Sequence, residues 1–410
     1  MQHTIKKPEL LAPAGDMERL RFALLYGADA VYLAGESFGM RGAPKNFAPD
    51  EMRTAAALCH AAGKRMYVTI NTMPTNEEID QLPAYLQQLA DIGPDAVIVA
   101  DLGVLSLVKK QLPKTEIHMS TQAGITNWAA ACAAWELGAK RVVLAREMTL
   151  QQIATLRQKT PPGLELEAFV HGAMCMSVSG RCLLSNYMTG RDGNRGACAQ
   201  PCRWKYALVE EKRPGEYFEI GENEEGSYIL SAEDLCAAPF LGQVAAAGVD
   251  SFKIEGRAKS FYYVASVTAA YRRAIDALGP DAAASVCPPE ALAELEKASH
   301  RRYSPGFYLG PEYAVQNVTD DRYERGWQIV AVVEGWQDGI AACTQRGKLL
   351  QGQTIEALCP NGDTFLFTPE WLKNEQGELV EATPHAMMPF TMPVPQPLPA
   401  GAILRRKNQK

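Results

Sequence analysis

One phrase recurs through the first 260 residues and limits the fold more than any other feature. It reads GADAVYLA at 27–34, GKRMYVTI at 63–70, GPDAVIVA at 93–100, GAKRVVLA at 138–145 and GVDSFKIE at 248–255. Each time a helical stretch ends at a glycine, which suits the left-handed conformation after a helix C-terminus, and a short apolar strand begins. Three further runs, ELLAPA at 9–14, IHMSTQ at 117–122 and LEAFVHG at 166–172, bring the set to eight. The runs are nearly continuous in apolar residues, as strands covered on both faces are. Helical patterns such as MERLRFALLYGA and NWAAACAAWELGA lie between most of them. Strict alternation of strand and helix gives a parallel sheet, and eight such units over about 250 residues give an α/β (β/α)8 TIM-like barrel. A doubly wound open sheet is the alternative, but no GxGxxG follows the first strand.

One unit breaks the pattern. After LEAFVHG comes not a helix but the run HGAMCMSVSGRCLLSNYMTGRDGNRGACAQPCRWKY, with thiols at Cys175, Cys182, Cys198 and Cys202. YALVEE and YFEIGENEEGSYIL then read as a small β insertion. SAEDLCAAPFLGQVAAAG reads as a helix, with Ser231 as N-cap and Glu233 and Asp234 in its first turn. Because the cysteine-rich insertion leaves the C-terminal end of the seventh strand, it lands on the face where barrel active sites lie. The chain has 410 residues, too many for one small core. The pattern divides it into a barrel at 1–285 carrying the cysteine loop at 171–206, a helical linker at 286–319, and a small β-rich, barrel-like domain at 320–410. WQIVAVVEGW, GIAACTQ, TIEALCP and DTFLFT are short strands of that last domain.

The N-terminus lacks the apolar core of a secretory signal, and no run of about 18 apolar residues could cross a membrane. A cytoplasmic chain without membrane contact is expected. In a reducing compartment clustered cysteines bind metal or catalyse rather than form disulfides. The spacing C-x6-C-x15-C-x3-C differs from paired C-x2-C zinc knuckles and leaves iron–sulfur, zinc and free thiols all open. Cys236, on the expected helix, could take the place of Cys202. The net charge of −6 argues against a generic nucleic-acid binder. Local basicity survives at Arg181, Arg191, Arg195, Arg203 and Lys205, and Tyr187, Trp204 and Tyr206 offer rings on which a base could stack. His171 and Cys175 raise a hydrolase reading, although neither HExxH nor GxSxG occurs.

The stretch EAFVHGAMCMSVSGRCLLS carries Glu167, Phe169, Gly172, Ala173, Met174, Cys175, Gly180, Cys182 and Ser185 in the pattern of a known family. NRGACAQPCR at 194–203, SFKIEGRAKS at 251–260, LLAPAGDMERLRFALLYGADAVYLA near the start and RRYSPGFYLG at 301–310 match it as well. On these motifs the chain resembles peptidase family U32, the collagenase-like proteins. The resemblance implies an oxygen-sensitive [4Fe–4S] cluster on Cys175, Cys182, Cys198 and Cys202. Some members hydroxylate RNA or ubiquinone precursors without molecular oxygen, with prephenate as hydroxyl source. The chain most resembles the branch that forms 5-hydroxyuridine at the tRNA wobble position. An oxidoreductase-type RNA hydroxylase is therefore expected, with tRNA, prephenate and an electron donor as partners. His171, Glu255 and Arg257 are the candidate catalytic residues. Arg41, Asn71, His118, Gln122, Arg146 and Arg195 are the candidate substrate contacts, since guanidinium forks suit the two carboxylates of prephenate. The alternatives are a family hydroxylase acting on ribosomal RNA or a ubiquinone precursor, a metal-dependent peptidase, and a non-enzymatic RNA-binding protein with a structural cluster.

Overall fold

Helix boundaries follow the punctuation in the sequence. The five glycines of the recurring phrase, Gly27, Gly63, Gly93, Gly138 and Gly248, all have φ between 65° and 110°. The next helix usually opens on a capping side chain: Asp16, Asp101, Asn127, Thr149 and Ser260 each accept a backbone N–H of the first turn. A computed structural model describes residues 7–39, 46–174, 182, 184–193, 197–204, 208–209, 217–218, 221–223, 226–228, 233–310, 313–314 and 324–408.

The strands are β1 (Glu9–Pro13), β2 (Ala30–Leu33), β3 (Arg65–Ile70), β4 (Ala96–Val99), β5 (Glu116–Met119), β6 (Arg141–Val143) and β7 (Glu165–Ala173). Short pairs β8 (Leu208–Val209) with β9 (Tyr217–Phe218), and β10 (Gly221–Asn223) with β11 (Gly226–Tyr228), precede β12 (Asp234–Cys236) and β13 (Ser251–Ile254). Seven parallel strands run in order from β1 to β7, and β13 pairs with both β7 and β1. The sheet thus closes into an eight-stranded barrel. Outside it lie α1 (Met17–Leu25), α2 (Pro49–Ala61), α3 (Asn76–Ile79), α4 (Leu82–Ile92), α5 (Leu102–Gln111), α6 (Trp128–Leu137) and α7 (Leu150–Lys159). They are followed by α8 (Leu184–Thr189), α9 (Leu241–Ala246), α10 (Phe261–Asp276) and α11 (Pro289–Leu295).

The segment expected to be one helix from Ser231 is not. Ser231 lies outside the described residues, and Asp234–Cys236 is strand β12, antiparallel to the last three residues of β7. Helix begins only at Leu241, after a 3-10 turn at Ala238–Phe240. The physical reason is β7 itself. At nine residues it outruns its barrel neighbours, and its projecting end takes β12 as a partner. β14 (Tyr303–Ser304) extends that patch in parallel with β12.

The C-terminal strands are β15 (Trp327–Gln337), β16 (Ile340–Gln345), β17 (Ile355–Leu358), β18 (Thr364–Phe367), β19 (Lys373–Asn374), β20 (Pro389–Pro393) and β21 (Ile403–Lys407). They form an antiparallel sheet in the order β18-β17-β21-β15-β16-β20-β19. It packs on α1 and α10 through Phe22, Tyr26, Tyr262, Ala265, Ala269, Val332, Leu358 and Ile403. No described helix is long and apolar enough to cross a membrane.

Candidate active site

The barrel strands are nearly, but not wholly, continuous in apolar residues. Their first positions put a charged layer inside the barrel. Arg141 Nη1 meets Glu9 Oε1 at 2.6 Å and Glu167 Oε2 at 3.0 Å, and Nη2 meets Glu165 Oε2 at 2.7 Å. Tyr67 donates its hydroxyl to Glu9 at 2.6 Å. Lys253 Nζ lies 2.7 Å from Glu167 Oε1 and 4.5 Å from the centre of the Tyr32 ring. Burial opposes the Glu167 charge, but Lys253 and Arg141 hold its carboxyl down at about 2. Burial likewise lowers the pKa of Lys253. The sequence reading missed this network; the signal was a charge at Glu9, Arg65, Glu116, Arg141 and Glu165, the first residue of five strands.

His118 belongs to this layer and not to the rim. It is the third residue of a four-residue strand, so it sits below the strand end. Its ring is fully buried, edge-on to Tyr67 with centroids 4.8 Å apart, with Nε2 3.4 Å from Glu116. Burial lowers its pKa.

All eight parallel strands point their C-terminal ends to one rim, and other candidates gather there. Arg257, three residues past β13, is buried and donates from Nη1 to Thr69 Oγ1 on β3 at 3.3 Å. Gly15, past β1, lets the Arg257 backbone come close: an added Cβ would stand 2.1 Å from the Arg257 carbonyl oxygen. Arg146, three residues past β6, donates to the Ala173 carbonyl at 2.7 Å, and its guanidinium lies 3.9 Å from the Phe169 ring centre. It therefore sits where the cysteine loop begins. Asn71 donates to Gln122 Oε1 at 2.9 Å, linking the ends of β3 and β5. Asn71, Gln122, Glu255 and Arg257 each make further contacts. The nearby Asn127 is occupied as the N-cap of α6.

His171 is near the rim in sequence but faces away from it, toward α10 and β14. Its ring centroid is 5.4 Å from Tyr271, 5.3 Å from Tyr303 and 6.0 Å from Tyr263. Burial above all, with smaller electrostatic contributions from the side chains of His300 and Lys259, pushes its pKa down to about 3. The imidazole is neutral and packed, which suits a structural partner of β7 rather than a base at the mouth. Glu255 is buried beside it, donating its backbone N–H to the His171 carbonyl at 2.8 Å.

Arg41, Cys175 and Arg195 lie outside the described residues. The other three loop thiols are described. Cys198 is exposed and Cys182 and Cys202 are half-buried, whereas Cys59, Cys236, Cys287, Cys343 and Cys359 are buried. Two loop sulfurs already accept backbone N–H groups: Cys182 from Leu184 and Cys198 from Gln200, each at 3.3 Å. Ser185 on α8 accepts from the Ala199 backbone at 2.9 Å and donates to the Arg191 carbonyl at 2.6 Å. That side chain fixes the Cys198 turn against α8. Tyr187 on the same helix is 87% exposed. Cys236 differs in every respect. It is on a strand, and burial pushes its thiol up to about 12. A protonated, buried thiol is a poor metal ligand.

A profile of peptidase family U32 matches residues 15–317, and one of the peptidase family U32 C-terminal domain matches 325–405. "tRNA hydroxylation protein P" of Escherichia coli (strain K12) is 36% identical over 451 residues, covering 98% of this chain and 97% of that protein. "tRNA hydroxylation protein P1" of Bacillus subtilis (strain 168) is 37% identical, covering 93% of this chain and 90% of that protein. "23S rRNA 5-hydroxycytidine C2501 synthase" of Escherichia coli (strain K12) is 38% identical over 66% of this chain but 39% of its own length. With both profiles matched in order and relatives aligned end to end, the chain belongs to peptidase family U32.

Proposed function

We propose that the protein hydroxylates the wobble uridine of tRNA to 5-hydroxyuridine without molecular oxygen, with prephenate as hydroxyl donor. The observation that carries this reading is the end-to-end similarity to two proteins named for tRNA hydroxylation, across barrel and C-terminal sheet alike. The relative named for ribosomal RNA shares less of its length.

The donor set fits a [4Fe–4S] cluster. Cys182, Cys198 and Cys202 are accessible thiols on one loop, two of them accepting backbone N–H groups, and Cys175 is the fourth candidate ligand. When bound there, the cluster would supply redox chemistry beside the rim. Arg146 and Arg257 would hold the carboxylates of the donor, with Thr69, Asn71 and Gln122 orienting its hydroxyl-bearing ring. Tyr187 and the basic residues of the loop would receive the extruded uridine. His171 keeps β7, and so the root of the loop, in register.

A peptidase reading asks for an activated nucleophile. His171, the base it would use, is buried among tyrosines and held neutral. The test is nucleoside mass spectrometry of tRNA from cells lacking wobble hydroxylation, with and without this chain. Restored 5-hydroxyuridine supports the proposal. Unmodified tRNA together with a hydroxylated ribosomal base, or cleavage of gelatin by anaerobically purified protein, overturns it.

A further inference from the structure

A second constellation lies away from the barrel mouth, where the chain passes from α11 and β14 toward the C-terminal sheet. Glu296, His300 and Glu324 bring one ligand atom each to within 4.8 Å of one another. His300 Nε2 is 3.4 Å from Glu296 Oε2 and 3.9 Å from Glu324 Oε2. The histidine is 2% exposed and the two carboxylates are well exposed, so a buried imidazole looks out between two surface acids.

The protonation pattern sharpens the picture. Nδ1 lies 2.7 Å from the Arg301 carbonyl oxygen, which can only accept, so Nδ1 carries a proton. The lone pair of a neutral ring is then on Nε2, which is buried and makes no hydrogen bond. A backbone carbonyl on one nitrogen and an open second nitrogen is the arrangement that orients metal-binding histidines. Stacking on Tyr303, with centroids 4.0 Å apart and planes 8° apart, fixes the ring further. Residues 300 and 324 are already paired through their backbones, Glu324 N donating to the His300 carbonyl at 2.7 Å.

The geometry points to a binding site for a divalent first-row transition cation, such as Mn²⁺ or Zn²⁺, held by Glu296, His300 and Glu324. Two carboxylates balance its charge, and imidazole with carboxylate is a donor set these ions accept. Ligands about 2.0–2.2 Å from a tetrahedral ion lie roughly 3.3–3.6 Å apart, which the His300–Glu296 pair already satisfies. The exposed Glu324 carboxylate needs only a small rotation to close, and water completes the sphere. The ion would clip both ends of the connection between barrel and C-terminal sheet. Through Tyr303, whose hydroxyl is 3.5 Å from His171 Nε2, it would also brace the wall that carries the cysteine loop.

The experiment is a titration of Mn²⁺ into the full-length protein, followed by electron paramagnetic resonance. Mn²⁺ favours oxygen and nitrogen donors over thiolates, which keeps the cysteine loop from masking the result. One site per chain is expected, weakened at least tenfold in Glu324→Gln and in His300→Gln and unchanged in Cys182→Ser/Cys198→Ser. Co²⁺ bound there should show d–d bands without sulfur charge transfer. Glu324 is exposed, so Glu324→Gln gives an answer even if His300→Gln fails to fold. Absence of Mn²⁺ binding at millimolar concentration, or equal binding by wild type and Glu324→Gln, overturns the site and leaves His300 set between two surface carboxylates.

Discussion

Arg257 is the residue on which the proposed donor site depends most. Its guanidinium is buried against Thr69, and its backbone is pressed on Gly15 so closely that a single added carbon would collide with it. A side chain so constrained presents its planar fork in one orientation, which a carboxylate can engage bidentately and an ammonium cannot reproduce. Arg257→Lys should therefore weaken apparent donor affinity by roughly 30- to 150-fold, equivalent to about 2–3 kcal/mol for a charge-assisted pair. Iron content should be unchanged; steady-state turnover against donor concentration reads the first and metal analysis the second. Unchanged donor dependence removes Arg257 from the site. Glu167 offers a different measurement. Its carboxyl is held at about 2, below the ordinary 4.5, by Lys253 and Arg141. A depressed carboxyl stabilises the fold fully above its unfolded value and loses that contribution as pH falls toward the folded one. Urea midpoints should therefore decline from pH 4.5 toward 2. Glu167→Gln should be less stable at neutral pH and show a shallower decline, and an identical slope would mean that other carboxyls carry the acid response.

At the scale of elements, the strands were legible and their insides were not. Glycine, apolar run and capping residue recur with a period that only a βα alternation satisfies, and all eight barrel strands fall on the runs that the pattern marks. The interior layer was hidden because Arg65, Arg141 and Glu165 stand at the starts of strands, where they read as solvated ends of the preceding loops. β12 was misread for a related reason. SAEDLCAAPF has helix-capping chemistry, and its pairing is set by the overhang of β7, a partner more than sixty residues away. That correction bears on the cysteine loop. Cys236 is buried on β12 against Tyr271, where burial pushes its thiol up to about 12, and we expect it to stay outside the ligand set. Cys182→Ser and Cys202→Ser should each lose most of the iron bound after anaerobic reconstitution, while Cys236→Ser keeps it. Stoichiometric zinc without sulfide in the wild type would contradict the cluster. Bleaching by Cys236→Ser alone would contradict the assignment of the fourth ligand.

On the scale of the whole molecule, the C-terminal sheet is anchored to the barrel by charge as well as by apolar contact. Arg405 on β21 is fully buried and bonds Glu294 of α11, Glu356 of β17 and the Tyr262 hydroxyl of α10. Lys297 closes the network on Glu356 at 2.7 Å. Around it, Tyr26 donates to the carbonyls of Leu358 and Gly401 at 3.0 Å each, and Phe22 and Ile403 are packed in the same cluster. Deleting the sheet would strip this surface from the barrel, so a truncated barrel cannot separate a role in tRNA binding from loss of structure. A point variant can. Arg405→Met keeps the volume and leaves Glu294 and Glu356 buried with one cation fewer, which for a broken buried ion network costs about 3–5 kcal/mol. Calorimetry should show the sheet melting below the barrel in place of one joint transition. If the barrel carries the chemistry and the sheet positions tRNA, the variant held between its two transitions should keep its iron and its donor affinity, and the salt dependence of tRNA binding should flatten as phosphate contacts are lost. A variant that melts as wild type does would mean that apolar packing holds the sheet and that the buried charges add little. One that melts early yet binds tRNA with an unchanged salt slope would leave the cysteine loop as the whole of the RNA site.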